Sequence, residues 1–154
     1  MDKKLIGDGR PAEILLVDDN RGDALLAAHA FKEAHVAANL TVASTGEMAL
    51  AMLGQEGEYR RTRLPDLIML DLGLPKMSGV DVLSHIKNDM RFRHIPVIVM
   101  SNSGAGSNIL KSYQLHANAY VIKPDNLARF REAISLIEQF FFLLACVPSQ
   151  NIDA

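Results

Sequence analysis

Acidic, hydroxyl and basic residues follow four apolar runs of the sequence, in a combination that could transfer a phosphoryl group. The runs are ILLV, LIML, VIVM and AYVI, and the residues that follow them are Asp18 and Asp19, Asp71, Ser101 and Lys123. Three clustered carboxylates repel one another, and a bound hard cation explains them best. Mg²⁺ fits because it uses one or two protein carboxylates and leaves positions for water and phosphate oxygens. Lys123 and Ser101 could then neutralise and hydrogen-bond a transferred phosphoryl group.

The apolar runs are short strand patterns that alternate with helical patterns. The predicted strands are Glu13–Val17, Leu40–Ala43, Leu67–Leu70, Val97–Met100 and Ala119–Ile122. The predicted helices are Asp23–Glu33, Glu47–Leu53, Val80–Asn88, Asn108–Leu115 and Leu127–Leu144. Such alternation predicts right-handed crossovers and a parallel sheet with helices on both faces, a three-layer α/β sandwich. Ligands bind at the carboxyl ends of the strands in such a sheet, which is where the polar residues stand.

Length and composition indicate one globular domain. The chain has 154 residues, 49% of them hydrophobic and 22% charged, with a formal net charge of -2. That charge gives no electrostatic reason to expect nucleic acid as a partner. The longest apolar run, residues 140–147, is far shorter than the roughly 20 residues that cross a membrane. The N-terminus lacks the apolar segment of a signal peptide and Cys146 has no partner for an intrachain disulfide, so we expect a cytoplasmic protein.

Four motifs carry a resemblance to a known family. ILLVDDN, LIMLDLGLPKMSG, VIVMSNS and AYVIKP occur in this order and at family-like separations. They resemble the motifs of the response-regulator receiver family, over roughly Ala12 to Phe140. The resemblance implies a flavodoxin-like (βα)5 fold, a doubly wound parallel sheet with strand order 2-1-3-4-5. The chain, 1–154, would then be a single receiver domain with a core at about 12–140 and an apolar C-terminal extension at 141–154.

The resemblance also implies a role for each site residue. Asp71 matches the phosphoacceptor, Asp19 the direct Mg²⁺ ligand, and Asp18 a ligand that binds the metal through water. The backbone carbonyl of Gly73 matches the remaining protein ligand. The residues that match the catalytic helpers are Ser101 and Lys123. The implied function is that of a two-component response regulator, a regulatory protein that takes its phosphoryl group from a sensor histidine kinase, catalyses its own phosphotransfer and dephosphorylation, and signals by changing shape.

Further positions match the parts of the family that respond to phosphorylation. Tyr120 matches the aromatic switch residue, which moves inward when Ser101 moves toward the phosphoryl group. The Lys123–Pro124 peptide bond is expected to be cis, since the family has a cis bond there. Gly73 replaces an Asn common in relatives, and Asn102 replaces a small residue. These two departures put the lifetime of the phosphoryl group in question.

The C-terminal third resembles a narrower group. RFRHIPVIVMSNS, YQLHANAY and the apolar extension are similar to single-domain regulators that work with phytochrome-type kinases, so a bacteriophytochrome is the narrower expectation for the kinase partner. In the last helix, one apolar stripe is expected to face the sheet, formed by Phe130, Ile134, Ile137 and Phe141. Other apolar residues are left for a homodimer interface, namely Phe140, Phe142, Leu143, Leu144 and Val147. The alternative is that this tail folds back onto its own domain.

Other functions remain open on such a sheet, because fold does not dictate function. A nucleotide- or flavin-binding module would need glycines where the first loop has DDNRGD. A phosphatase with an Asp nucleophile usually has DxD after its first strand, whereas Asp18 and Asp19 are adjacent. A receiver could also be a phosphorelay intermediate, or a scaffold without phosphorylation, which the intact set of acidic and basic residues disfavours. Each residue alone could be a helix cap or solvated surface, so the function rests on their combination.

Overall fold

The computed structural model describes residues 3–148, in which five strands alternate with five α-helices. The strands are β1 (Ala12–Val17), β2 (Ala38–Ala43), β3 (Leu67–Asp71), β4 (Val97–Ser101) and β5 (Ala119–Ile122). The helices are α1 (Arg21–Lys32), α2 (Gly46–Leu53), α3 (Gly79–Asn88), α4 (Gly106–Gln114) and α5 (Leu127–Gln139). Within residues 3–148 we find no helix with the length and apolar character needed to span a membrane.

The strands form one parallel sheet in the order β2-β1-β3-β4-β5, as predicted. Because β1 pairs with both β2 and β3, the strand order reverses beside β1. In an open α/β sheet this reversal leaves a crevice at the carboxyl ends of the strands. The same edge therefore carries the ends of β1, β3, β4 and β5.

Apolar side chains fill both faces of the sheet. Leu15 and Val17 of β1 contact the core under α2 and α3, while Ile14 and Leu16 contact the core under α1 and α5. All five residues of β3 are buried. Burial on both faces explains why the central strands read as continuous apolar runs without polar alternation.

An N-terminal arm extends the domain beyond the predicted start of its core. Lys4 forms a parallel bridge with Val36, just before β2, and Ile6 is buried. Arg10 then forms a bidentate ion pair with the buried carboxylate of Asp66, at 2.9 and 2.8 Å. The arm is thus part of the folded unit, although the motifs place its core at about 12–140.

The C-terminal end corrects the predicted end of the last helix. α5 ends at Gln139 instead of Leu144, and residues Phe140–Leu144 form a π-helical turn closed by a 2.7 Å bond from Ala145 N–H to the Phe140 carbonyl. Phe142, predicted at a dimer interface, is half-buried and packs against the cores of its own domain. The predicted stripe does face the sheet, since Phe130, Ile134 and Ile137 are buried and Phe141 packs beside them. The side chains left exposed are Phe140, Leu143 and Leu144. Val147 is half-buried, and residues 149–154 of the extension lie outside the described residues.

Candidate functional site

Three carboxylates converge at the carboxyl edge of the sheet. Asp18 follows β1 and Asp71 ends β3, and these two strands are neighbours. Asp18, Asp19 and Asp71 each offer an oxygen within 4.8 Å of the others. Asp18 and Asp71 are buried, whereas Asp19 is exposed. This group of three oxygens is a donor set of the kind that binds a hard divalent cation.

Lys123 brings an ammonium into contact with these carboxylates from the end of β5. Its Nζ donates to Asp18 Oδ2 and to Asp23 Oδ2, both at 2.8 Å, and lies 3.4 Å from Asp71 Oδ2. The side chain of Lys123 is 5% exposed. The sequence places Lys123 and two of these carboxylates correctly at one edge but misses Asp23. The sequence predicts a helix that begins at Asp23. In the structure α1 begins at Arg21, and its cap is Asn20, whose Oδ1 accepts a hydrogen bond from Asp23 N–H.

Burial and charge shift two of these groups. Burial raises the pKa of the Asp18 carboxyl, and the charge of Asp71 adds to this, against opposing hydrogen bonds from Lys123 and Asn20 N–H. Burial alone would lower the pKa of Lys123, but its hydrogen bonds to Asp18 and Asp23, together with the charges of Asp18 and Asp71, raise it above the usual value. Lys123 is therefore a permanent cation, and the carboxylates around it still carry excess negative charge.

The loop after β3 closes tightly on Asp71. The N–H of Gly73 donates to Asp71 Oδ1 at 3.0 Å, which fixes one carboxylate oxygen. Gly79 begins α3 directly against the backbone of Asp71 and Leu72, and a Cβ on Gly79 would lie 2.3 Å from the Asp71 carbonyl oxygen. Only glycine fits there, because the contact is with backbone that cannot rotate away. The N–H of Gly73 and the close approach of Gly79 together hold the candidate phosphoacceptor in place.

Ser101 and Tyr120 meet at one residue of the loop after β4. Ser101 is buried at the end of β4, and its Oγ accepts from the N–H of Ser103 at 3.1 Å. The Tyr120 hydroxyl donates to the Ser103 carbonyl at 2.7 Å. Asn102, which lies between Ser101 and Ser103 in the sequence, is exposed. Ser103 is thus hydrogen-bonded through its N–H to one candidate switch residue and through its carbonyl to the other.

The Lys123–Pro124 peptide bond is trans, which corrects the expectation of a cis bond. Trans is favoured for X–Pro bonds by about 0.5–1 kcal/mol in the absence of other constraints. In this conformation the Lys123 ammonium already reaches Asp18 and Asp23, so the observed contacts do not require the cis form.

Comparisons with known proteins agree with this fold. The profile of the response regulator receiver domain matches residues 14–135. Response regulator Rcp1 of Synechocystis sp. is 36% identical over 139 residues, which are 90% of this chain and 95% of Rcp1. Its Mn²⁺-bound structure has a TM-score of 0.86, with 90% of this chain and 100% of that chain covered.

Two further solved structures are similar. The phosphorylated cyanobacterial phytochrome response regulator RcpA is 41% identical, with a TM-score of 0.86 and coverage of 90% of this chain and 99% of that chain. The bacteriophytochrome response regulator AtBRR is 36% identical, with a TM-score of 0.70 and coverage of 88% of this chain and 98% of that chain.

Proposed function

Since the chain belongs to the response-regulator receiver family and is a two-component response regulator, we propose that Asp71 accepts its phosphoryl group from a sensor histidine kinase. The observation that carries this assignment is the convergence of three carboxylates and one ammonium at the carboxyl edge of the sheet. Asp71 is the acidic residue at the end of the central strand β3, and its Oδ2 lies 3.4 Å from Lys123 Nζ.

We propose that Mg²⁺ binds to Asp18, Asp19 and Asp71, with the Gly73 carbonyl as a further ligand. The donor set fits the ion, because three carboxylate oxygens lie within 4.8 Å and Lys123 alone cannot balance their charge. When bound, the ion supplies positive charge to the phosphoryl oxygens and lowers the repulsion between them and the carboxylates. The relative Rcp1 has a Mn²⁺-bound form, and Mn²⁺ and Mg²⁺ share a preference for oxygen ligands.

The transfer follows from the positions of the side chains. A carboxylate oxygen of Asp71 attacks the phosphorus in line, the new P–O bond forms, and the P–N bond to the kinase histidine breaks, leaving its electron pair on the imidazole. Lys123 neutralises negative charge of the phosphoryl group as this group moves onto Asp71, and the Ser101 hydroxyl donates a hydrogen bond to a phosphoryl oxygen. The receiver itself thus supplies the catalysis, both for this step and for later hydrolysis of the acyl phosphate.

The signal leaves the site through Ser103. If Ser101 Oγ turns to the phosphoryl group, it no longer accepts from the Ser103 N–H. Ser103 also holds the Tyr120 hydroxyl, so a shift of this loop changes the position of Tyr120. The proposed output is therefore a coupled rearrangement of the loop after β4 and of β5.

For the partner, we propose a bacteriophytochrome kinase, on the strength of the similarity to RcpA and AtBRR. Such a kinase forms its phosphohistidine from ATP, which places the reaction in the cytoplasm.

We also propose a homodimer through the C-terminal end of α5 and the turn after it. Leu136, Phe140, Leu143 and Leu144 are exposed there, and a twofold interface would bury them. Of the residues predicted from sequence, Phe142 and Val147 contribute less because they are half-buried.

The dimer is tested by sedimentation of Leu143→Glu at micromolar concentration. We expect the wild type to be dimeric and this variant monomeric. A matched control is Leu25→Glu, which changes an exposed leucine in the first half of α1 that is not among the proposed interface residues. A monomeric wild type would contradict the dimer without affecting the phosphorylation chemistry.

The phosphoacceptor is tested with acetyl phosphate as the donor. We expect labelling in the presence of Mg²⁺, none in EDTA, and none in Asp71→Asn. The control is Asp81→Asn, which changes an exposed aspartate in the first turn of α3 and should be labelled like the wild type. Labelling of Asp71→Asn at an unchanged rate would overturn the assignment.

A further inference from the structure

Among the described residues 3–148, Asp23 is the carboxylate that contacts Lys123 without belonging to the group of three. Its Oδ2 lies 2.8 Å from Lys123 Nζ, as close as that of Asp18 and closer than that of Asp71. Asp23 is in the first turn of α1 and its side chain is 26% exposed. It is outside the set of oxygens that lie within 4.8 Å of one another.

The two 2.8 Å hydrogen bonds of Lys123, to Asp18 and to Asp23, would respond differently to a bound cation. Asp18 would have to serve both the cation and the ammonium, and these two positive charges repel each other. Its bond to Lys123 therefore weakens. Asp23 has no such competition, because it is not part of the donor set. It is the contact that can keep the ammonium at the site.

We propose that Asp23 is a positioning residue, which holds Lys123 beside Asp71 while a divalent cation occupies the carboxylates. This inference rests on the proposed phosphotransfer at Asp71. Without Asp23, the short bond that remains for Lys123 is to Asp18, so the ammonium competes with the cation for that carboxylate. Loss of Asp23 should therefore weaken cation binding and slow phosphorylation, both through Lys123.

A different role would be purely local. An acidic residue in the first turn of a helix interacts favourably with the helix dipole, and Asp23 is such a residue in α1. That role concerns the stability of α1 and does not involve Lys123. A second alternative is general electrostatics, in which Asp23 attracts the cation as one more negative charge. Both alternatives predict an effect that does not depend on Lys123.

The test is a double-mutant cycle with Asp23→Ala, Lys123→Met and the double variant. Mg²⁺ affinity is measured by calorimetry, and the phosphorylation rate with acetyl phosphate. With Lys123 present, we expect Asp23→Ala to weaken Mg²⁺ binding and to slow labelling, each on the order of tenfold, as for loss of a charged hydrogen bond. In the Lys123→Met background, we expect the same change to alter Mg²⁺ affinity by less than about twofold. Asp23→Glu should restore part of the rate, because it keeps a carboxylate for Lys123.

Equal effects of Asp23→Ala in both backgrounds would overturn the proposal and favour general electrostatics. Asp23→Asn, which keeps the shape of the side chain, replaces Asp23→Ala if thermal unfolding shows that α1 is disturbed. Asp71→Asn is included in the same series. If that variant is still labelled, the phosphoacceptor assignment fails; if it is unlabelled and the cycle is additive, only the role of Asp23 fails.

Discussion

Buried charged side chains lie at both edges of the sheet, and their partners differ. At the amino edge, Arg10 and Asp66 form a bidentate pair, and Asp66 Oδ2 also accepts from Glu13 N–H at 2.8 Å. Lys87, at the same edge, donates to neutral acceptors at 2.8–3.0 Å, namely the carbonyls of Arg93 and Ile95 and Oδ1 of Asn118. These contacts tie together the segments that precede β1, β3, β4 and β5. At this edge Arg10 therefore balances the charge of Asp66, and Lys87 has neutral acceptors for its hydrogen bonds.

The charges at the carboxyl edge are not balanced in this way. Lys123 contacts three carboxylates there, those of Asp18, Asp23 and Asp71, and Asp19 adds a fourth nearby. The pKa values of Lys87 and Lys123 shift in opposite directions. Burial lowers the pKa of Lys87 to about 8, whereas the carboxylates hold the pKa of Lys123 above its usual value despite burial. The excess negative charge at this edge favours binding of a cation, so we expect ion-dependent stability there and ion-independent stability at the other edge.

The largest effect on stability is expected from Arg10→Ala. This change leaves the fully buried side chain of Asp66 without its counter-ion, which costs about 3–5 kcal/mol for a buried pair. Urea unfolding measures the loss, which should be the same with and without Mg²⁺. Arg91→Ala removes an exposed ion pair with Asp89 and serves as the control with little effect. A small loss for Arg10→Ala would show that the amino edge does not depend on this pair.

A smaller effect, dependent on the ion, is expected from Lys123→Met. Without Mg²⁺, Asp18 and Asp71 lose their shared cation, and the free energy of unfolding should fall by about 2 kcal/mol. Because the variant lacks the ammonium that competes with the ion, we expect it to bind Mg²⁺ about tenfold more tightly than the wild type, so saturating Mg²⁺ should return roughly 1.4 kcal/mol of this loss. The matched variant is Lys87→Met, which should lower stability equally with and without Mg²⁺. Equal behaviour of the two variants would contradict the contrast between the edges.

The smallest effect is a pH dependence at Lys87. The folded protein loses the Lys87 proton near pH 8, whereas the unfolded chain keeps it up to the usual value of 10.5. Between these values the unfolded state holds more protons, so this residue makes the free energy of unfolding rise with pH. Partial exposure keeps the slope below roughly 1.4 kcal/mol per pH unit. The measurement is urea unfolding from pH 7.5 to about 10: the difference between wild type and Lys87→Met should grow, and parallel profiles would refute the shift.

The sequence predicts the strands and the sheet because their signals are local. Continuous apolar runs such as LIML indicate buried strands, and an Asp, Ser or Lys at the end of each run marks the carboxyl edge. Helix starts depend on the cap: with Asn20 as the cap, α1 starts at Arg21, two residues before the predicted start at Asp23. The contact between Asp23 and Lys123 spans 100 positions, and no local pattern links the two residues.

Contacts between distant segments could not be predicted. Arg10 and Asp66 are 56 positions apart and have no pattern that links them. Neither the π-helical turn after Gln139 nor the inward position of Phe142 has a signature in an all-apolar stretch such as FFFLL. The trans bond before Pro124 was mispredicted because the expectation came from the family alone.

The central claim, that Asp71 is the phosphoacceptor, is tested most directly by locating the acyl phosphate. The protein is treated with acetyl phosphate and Mg²⁺, the acyl phosphate is reduced with borohydride, and the modified residue is identified by peptide mass spectrometry. The account predicts that homoserine replaces aspartate at position 71 and that Asp18, Asp19 and Asp23 stay unmodified. Homoserine at any of those three positions, or at none while the protein is labelled, would contradict it.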